Sequence, residues 1–192
     1  MTPRKGDWIQ TFTGRCFWPL DPKPEEVFIE DIAHALSMTC RFAGHCTRFY
    51  SVAEHSVNVS RLVPPEDALW GLLHDAAEAY SADIPRPLKR FLTEWKPMED
   101  AITNVIVQKF GLPSEEPRSV KEADWRILAD EQSALMSPCE QGWSDMAEPF
   151  GIPIFCLAWN EAKFLFLNRF RQIQEARAAL AAARGAREGR DG

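Results

Sequence analysis

His74 and Asp75 stand side by side in the segment Trp70-Gly-Leu-Leu-His-Asp-Ala-Ala-Glu78, and an imidazole next to a carboxylate can ligate a divalent cation or move a proton. The apolar positions Leu69, Leu72, Leu73 and Ala76 predict that a buried helix carries the pair. On such a helix Glu78, four residues after His74 and three after Asp75, shares their face. A carboxylate is costly to bury without a countercharge, so one is expected close by, and a divalent cation would serve. Alone, a His-Asp pair is a weak signal, because a hydrogen-bonded core histidine beside a surface aspartate reads the same way. His55 adds to it by sharing a stripe with Val52, Val59 and Leu62. Asp124 does the same on a third segment, with Val120, Ile127, Leu128 and Leu135. Three predicted helices thus each direct a ligand inward, which points to one ion shared by His55, His74, Asp75 and Asp124. Asp130, six residues after Asp124, is rotated off that stripe. Glu131, seven after, returns to it and is a candidate to support a ligand, with a surface salt bridge as its plainer role.

The elements that must position these groups are legible from periodicity and punctuation. Residues 8–12 and 15–18 are aromatic and β-branched runs around Gly14, which predicts a small hairpin or extended arm. Pro19, Pro22 and Pro24 force a loop, and Phe28, Ile32, Ala35 and Leu36 then mark a first helix. Residues 40–50 read as a connector broken at Gly44. Ser51 with Glu54 three residues on predicts a capping box opening the His55 helix. Pro64 and Pro65 stop that helix and open the next, expected to run unbroken to about Tyr80. Further helices are expected over 98–110, ended by Gly111-Leu112-Pro113, and over 119–136, with Ser119 and Glu122 as a second capping box. A last helix is expected from about Cys156, with a buried stripe of Trp159, Ala162, Phe166, Phe170 and Ile173. No strand–helix alternation or repeat is visible. The expected fold is all-α, one domain of six or seven helices over residues 1–184, with a short extended N-terminal element and a disordered tail at 185–192.

The bulk composition narrows the function classes. A chain of 192 residues with 45% hydrophobic content can bury one substantial core. The net charge of −6 argues against a nucleic-acid polymer as partner, since a phosphate backbone calls for a broad basic surface. No apolar run reaches membrane-spanning length and residues 1–8 lack a signal-peptide core, so no membrane partner is expected and a cytoplasmic location is the default. The five cysteines form no close pair, which suits reduced thiols and leaves metal chemistry to histidine and carboxylate.

Four ordered words carry a resemblance: Ala53-Glu-His-Ser56, His74-Asp-Ala-Ala-Glu78, Asp83-Ile-Pro-Arg-Pro-Leu-Lys89 and Val120-Lys-Glu-Ala-Asp124. In this order on a helical chain they resemble the HD-domain metal-dependent phosphohydrolases, over residues 8–170. Within that superfamily they are similar to the bacterial 5′-deoxynucleotidases and to relatives that strip triphosphate from deoxyadenosine triphosphate. The resemblance implies one divalent metal (manganese, cobalt, iron or zinc, with magnesium also able to fit) that neutralises phosphate charge and activates water. Glu78 would orient or deprotonate that water, and Asp83 would position substrate or protonate the leaving 5′-oxygen.

For phosphate the bidentate guanidinium of Arg15 ranks first, followed by Arg86, Lys89 and Arg41, and Trp18 could stack on a base. The nucleotidases place an arginine directly before this tryptophan; here Phe17 stands there. The segment between Trp18 and His55 is also longer than in those relatives, and His45 within it could touch a phosphate. His34 shares a face with Glu30 and Asp31, where an exposed ion pair is expected.

The expected activity is hydrolysis of a deoxynucleoside 5′-monophosphate to deoxynucleoside and phosphate, with a dATP-type triphosphohydrolase as the alternative. A di-iron oxygenase ranks lower because only His34 and His45 remain as further histidines. A non-catalytic, metal-stabilised interaction protein also ranks lower. The expected partner is a small nucleotide, and the resemblance allows a homodimer.

Overall fold

The two N-terminal runs pair as β1 (Ile9–Gln10) and β2 (Cys16–Phe17), antiparallel, with Ile9 opposite Phe17. Gly14 at φ 79° supplies the left-handed residue that this turn requires. The computed structural model describes residues 3–143 and 145–188. Among them seven α-helices follow the hairpin: α1 (Ile29–Met38), α2 (Val52–Leu62), α3 (Ala68–Leu73), α4 (Arg86–Lys89), α5 (Trp95–Phe110), α6 (Arg118–Leu135) and α7 (Trp159–Glu188). Short 3-10 turns occupy Pro24–Glu26, Arg41–Gly44 and Ala76–Ala79. The all-α expectation therefore holds, the hairpin being the only sheet among the described residues.

α2 is the central element. Nine of its eleven residues, including His55, are buried, and it packs against α1, α3, α6 and α7. One main core gathers Ile32 and Leu36 of α1, Val57 and Val59 of α2, Leu72 of α3, Ile102 and Ile106 of α5, Ile127 of α6 and Phe166 of α7. A satellite cluster of Tyr50, Leu135 and Ile154 lies under the 40–50 connector. None of the described helices is long and apolar enough to cross a membrane.

Several local expectations are corrected. The helix expected to continue to Tyr80 stops at Leu73; Asp75 leaves helical geometry (φ −95°, ψ 10°) and caps the 3-10 turn Ala76–Ala79. Glu78 thus comes from a 3-10 turn rather than an α-helical face. It keeps its place near Asp75 because residues three apart eclipse in that geometry. At α2, Ser51 accepts the Glu54 N–H as predicted, but the Glu54 carboxylate accepts from the N–H groups of Phe155, Cys156 and Leu157 instead of turning back to Ser51. That bond set also delays α7: with those amides held by Glu54 and Cys156 at φ 59°, the helix starts at Trp159. Of its expected stripe, Ala162, Phe166 and Ile173 are buried while Trp159 is exposed.

The second capping box does not form. Pro117 caps α6, Ser119 donates to Asp67, and Glu122 accepts from Arg118. α7 runs on to Glu188, four residues into the expected tail; residues 189–192 lie outside the described residues. His34 makes no ion pair with Glu30 or Asp31; it stacks on Phe12 with ring centroids 3.9 Å apart.

Candidate metal centre

The inward stripe of α2 leaves His55 with no exposed surface, so both ring nitrogens must find partners inside the protein. Nδ1 lies 2.6 Å from Glu131 Oε1 on α6. Glu131 is itself fully buried, accepts from the Tyr50 hydroxyl at 2.9 Å, and pairs with Arg41 Nη2 at 3.1 Å. Burial works against its charge, but Arg41 and His55 outweigh burial and hold its pKa below the ordinary carboxylate value. An ionised Glu131 only accepts, so His55 Nδ1 donates and its Nε2 carries the lone pair.

The end of α3 treats His74 in the same way. Its Nδ1 donates to the carbonyl of Gly71 at 2.9 Å, which turns Nε2 away from the helix. The two Nε2 atoms lie 3.2 Å apart. Asp124 Oδ1 stands 3.1 Å from that of His55 and 3.8 Å from that of His74. Asp75 Oδ2 is 3.3 Å from His74 Nε2 and 3.7 Å from His55 Nε2, and is also drawn to Arg41 Nη1 at 3.5 Å.

Lone pairs and carboxylates that converge in this way repel one another unless positive charge stands among them. Three carboxylates, Asp75, Asp124 and Glu131, face the single guanidinium of Arg41, which leaves two negative charges when the imidazoles are neutral. Proton affinities follow the same imbalance. Burial opposes a charged His74, but Asp75 and Asp124 raise its pKa well above the ordinary value. His55 is raised in the same sense: burial and Arg41 oppose its charge, and Glu131 and Asp124 prevail. Asp75 and Asp124 are pulled down by the two imidazoles against the effect of burial. The ligand atoms of His55, His74 and Asp124 lie within 4.8 Å of one another and could hold a metal ion, whose two charges would balance the site. Asp75 stands beside this group, shared between the imidazoles and Arg41.

A cavity of about 550 Å³ opens on the centre. His74, Asp75, Glu78 and Asp124 form its inner wall. Glu78 is buried; its Oε1 faces Lys89 Nζ at 3.4 Å and its Oε2 has no hydrogen-bond partner among the described residues. Burial, then the charges of Asp75 and Asp83, push its pKa well above the ordinary carboxylate value. Asp83 is half-buried and raised for the same first reason, but its carboxylate makes no hydrogen bond among the described residues.

Of the cations considered for phosphate, Lys89 alone lines this cavity, bound to Glu99 at 2.8 Å. Arg15 is exposed and packs its guanidinium 3.9 Å over the Phe28 ring. Trp18 lies under Arg4, Arg86 covers Trp125 and His45 is exposed at the end of a 3-10 turn, so the structure brings none of these to the cavity. Sequence reasoning missed the outer wall, which comes from Glu99, Asp100, Thr103 and Asn104 on α5 and Ser114 and Glu116 after it. On a sequence these are an ordinary polar helix face. It also ranked Arg41 behind Arg15 for phosphate, whereas the side chain is a mostly buried clamp between Glu131 and Asp75.

Fold and site together define a helical protein with a two-histidine, carboxylate centre at the base of an acidic cavity. Comparison with known proteins adds kinship. The chain is 43% identical over 176 residues to the uncharacterized protein YfdR of Escherichia coli K12, covering 88% of this chain and 97% of that one. It therefore belongs to the same family as YfdR. An uncharacterized protein of Rhodobacter capsulatus is 36% identical over 129 residues, 62% of this chain and 66% of the relative. No family model matches the chain.

Proposed function

We propose that this protein is a divalent-metal-dependent phosphohydrolase of the HD-domain type whose substrate is a deoxynucleoside 5′-monophosphate. The observation that carries the reading is the convergence of His55 Nε2, His74 Nε2 and Asp124 Oδ1 within 4.8 Å, beside a cavity that also holds Glu78. His55, His74 and Asp124 would hold the cation, with Asp75 as a fourth carboxylate at its edge. Manganese, cobalt, iron and zinc all suit imidazole and carboxylate, and magnesium the carboxylates. When bound, the cation supplies charge neutralisation for a phosphate and acidifies water. Glu78 Oε2, buried and without a partner, is the atom suited to take a proton from the attacking water. Lys89 faces the incoming phosphate from the cavity wall, and Asp83, half-buried in the turn before α4 and outside the cavity lining, is the acid we assign to the leaving oxygen.

The lining favours a monophosphate over a triphosphate. Six carboxylates, Asp75, Glu78, Glu99, Asp100, Glu116 and Asp124, share the cavity with one lysine, and each added phosphate charge meets that field. A di-iron oxygenase finds no support, because His34 lies against Phe12 and Trp159 and His45 is exposed, so neither joins the centre. The test is phosphate and nucleoside release from a panel of nucleoside mono-, di- and triphosphates with manganese or cobalt supplied. Release of phosphate and deoxynucleoside from monophosphates, lost in Glu78→Gln with metal content unchanged, is the expected result. No release from any nucleotide would sink the reading and leave a metal-stabilised interaction protein in its place.

A further inference from the structure

Away from the metal centre the hairpin, α1 and the end of the 3-10 turn Ala76–Ala79 enclose a second cavity of about 340 Å³. That volume is at the lower end of the range of small-molecule sites, roughly 300–1,000 Å³. Its chemistry differs from that of the first. The lining contains no lysine or arginine, and its carboxylate, Asp31, is 2% exposed and accepts from Thr13 N at 2.7 Å and Thr13 Oγ1 at 2.9 Å. A phosphate would bring like charge to a buried carboxylate, and the Lys163 ammonium, which stands against the lining, is engaged with the His34 and Phe12 rings.

What the lining offers instead is hydrogen-bonding side chains beside apolar ones, Ile9, Phe12, Ala35 and Ala79. The Tyr80 hydroxyl is buried beside the Phe28 backbone and has no hydrogen bond of normal geometry. The Gln10 side-chain amide makes no hydrogen bond among the described residues, which leaves it both a donor and an acceptor. His34 Nδ1 takes the Lys163 ammonium at 3.4 Å, and burial followed by Lys163 holds its pKa below the ordinary value, so the neutral ring presents Nε2–H as a donor. Phe12, stacked on His34, keeps 56% of its surface exposed, and the small side chains of Ala35 and Ala79 leave room for a planar group. Flat, uncharged and bearing both donors and acceptors at its edge is the description of a nucleobase.

We propose that this second cavity is a binding site for an uncharged nucleoside, entered base first, and separate from the metal centre. The assignment stands on the lining of this cavity and does not require the metal centre to be catalytic. Isothermal titration of the full chain with deoxyadenosine, deoxycytidine and thymidine, with their 5′-monophosphates, and with ribose alone tests it. We expect one saturable site for a nucleoside, weaker binding of the corresponding monophosphate at that site, and none for ribose. Tyr80→Phe, which keeps the ring, and Gln10→Ala, at an exposed position, should each weaken binding about tenfold, the size of one lost hydrogen bond. His74→Ala should leave it unchanged, which separates this cavity from the first. The proposal is overturned if no nucleoside binds saturably, if Tyr80→Phe and Gln10→Ala both retain full binding, or if binding disappears in His74→Ala.

Discussion

His55 is useful to a cation because of what lies behind it. The run Asn58, Tyr50, Glu131 and Arg41 is almost entirely screened from water and ends in one carboxylate at 2.6 Å from His55 Nδ1. That bond settles the tautomer and makes the ring a better donor at Nε2. Glu131→Gln removes the charge while keeping the shape. We expect metal affinity to fall about 10- to 100-fold, measured by titration with manganese, with the far-ultraviolet circular dichroism preserved. Arg41→Met, which unties both Glu131 and Asp75, should lower affinity at least as far and also cost stability, because it leaves those acids without their guanidinium. Glu78→Gln acts differently, since this residue faces the cavity rather than a ligand: metal binding should persist while phosphate release falls about 10²- to 10⁴-fold.

At the scale of elements the site depends on how closely α2 and α3 approach. A Cβ on Gly71 would meet Ser60 Cα at 3.0 Å and Val63 Cγ2 at 3.2 Å, and the first of these is backbone that cannot move aside. Gly71→Ala should therefore destabilise the protein by about 1–3 kcal/mol in urea unfolding, the usual cost of overpacking. It should weaken metal binding as well, because the Gly71 carbonyl holds His74 Nδ1. The elements also show where sequence patterns stop being decisive. Helical periodicity correctly aligned Val52, His55 and Val59, because that stripe is a property of one helix. On α6 it aligned Val120 and Ile127, but Asp124 keeps 43% of its side chain exposed, while Asp130, expected off the stripe, is buried and accepts from the Phe150 and Ile152 amides. Capping signals misled where a side chain had a better partner elsewhere. Glu54 is drawn to three amides some hundred residues later, and Ser119 to Asp67 on a neighbouring segment. Local spacing carries no information about such competitors.

For the whole molecule, a cation that binds only the folded chain adds stability by mass action, about 2.7 kcal/mol at a hundredfold excess over its dissociation constant. Thermal unfolding should shift upward with added manganese and fall back with a chelator, and His74→Ala should abolish the shift. A second global response comes from His34, which links the hairpin, α1 and α7 through Phe12 and Lys163. Burial, then Lys163, depresses its pKa below 6.5, so the folded chain resists a proton that the unfolded chain accepts. This contribution favours the folded state above pH 6.5 and is lost as pH falls from 6.5 through the folded value. Between about pH 7.5 and pH 5.5 the wild type should lose more stability than His34→Gln, as read by denaturant midpoints.

The sequence by itself determined the helical class and the hairpin, and it pointed to His55, His74 and Asp124, which the fold brings together, since amphipathic period and residue chemistry are written locally. It also singled out Glu131 and Glu78, though it left the first between a ligand support and a surface salt bridge and put the second on the wrong kind of helix. Tertiary packing decided which cations meet the cavity, dismissing Arg15 to Phe28 and turning Arg41 into a clamp. It alone assembled the acidic outer wall from α5 and the second cavity behind the hairpin. Those features arise between elements distant in the chain, where burial and electrostatic balance are set by neighbours that no local pattern names.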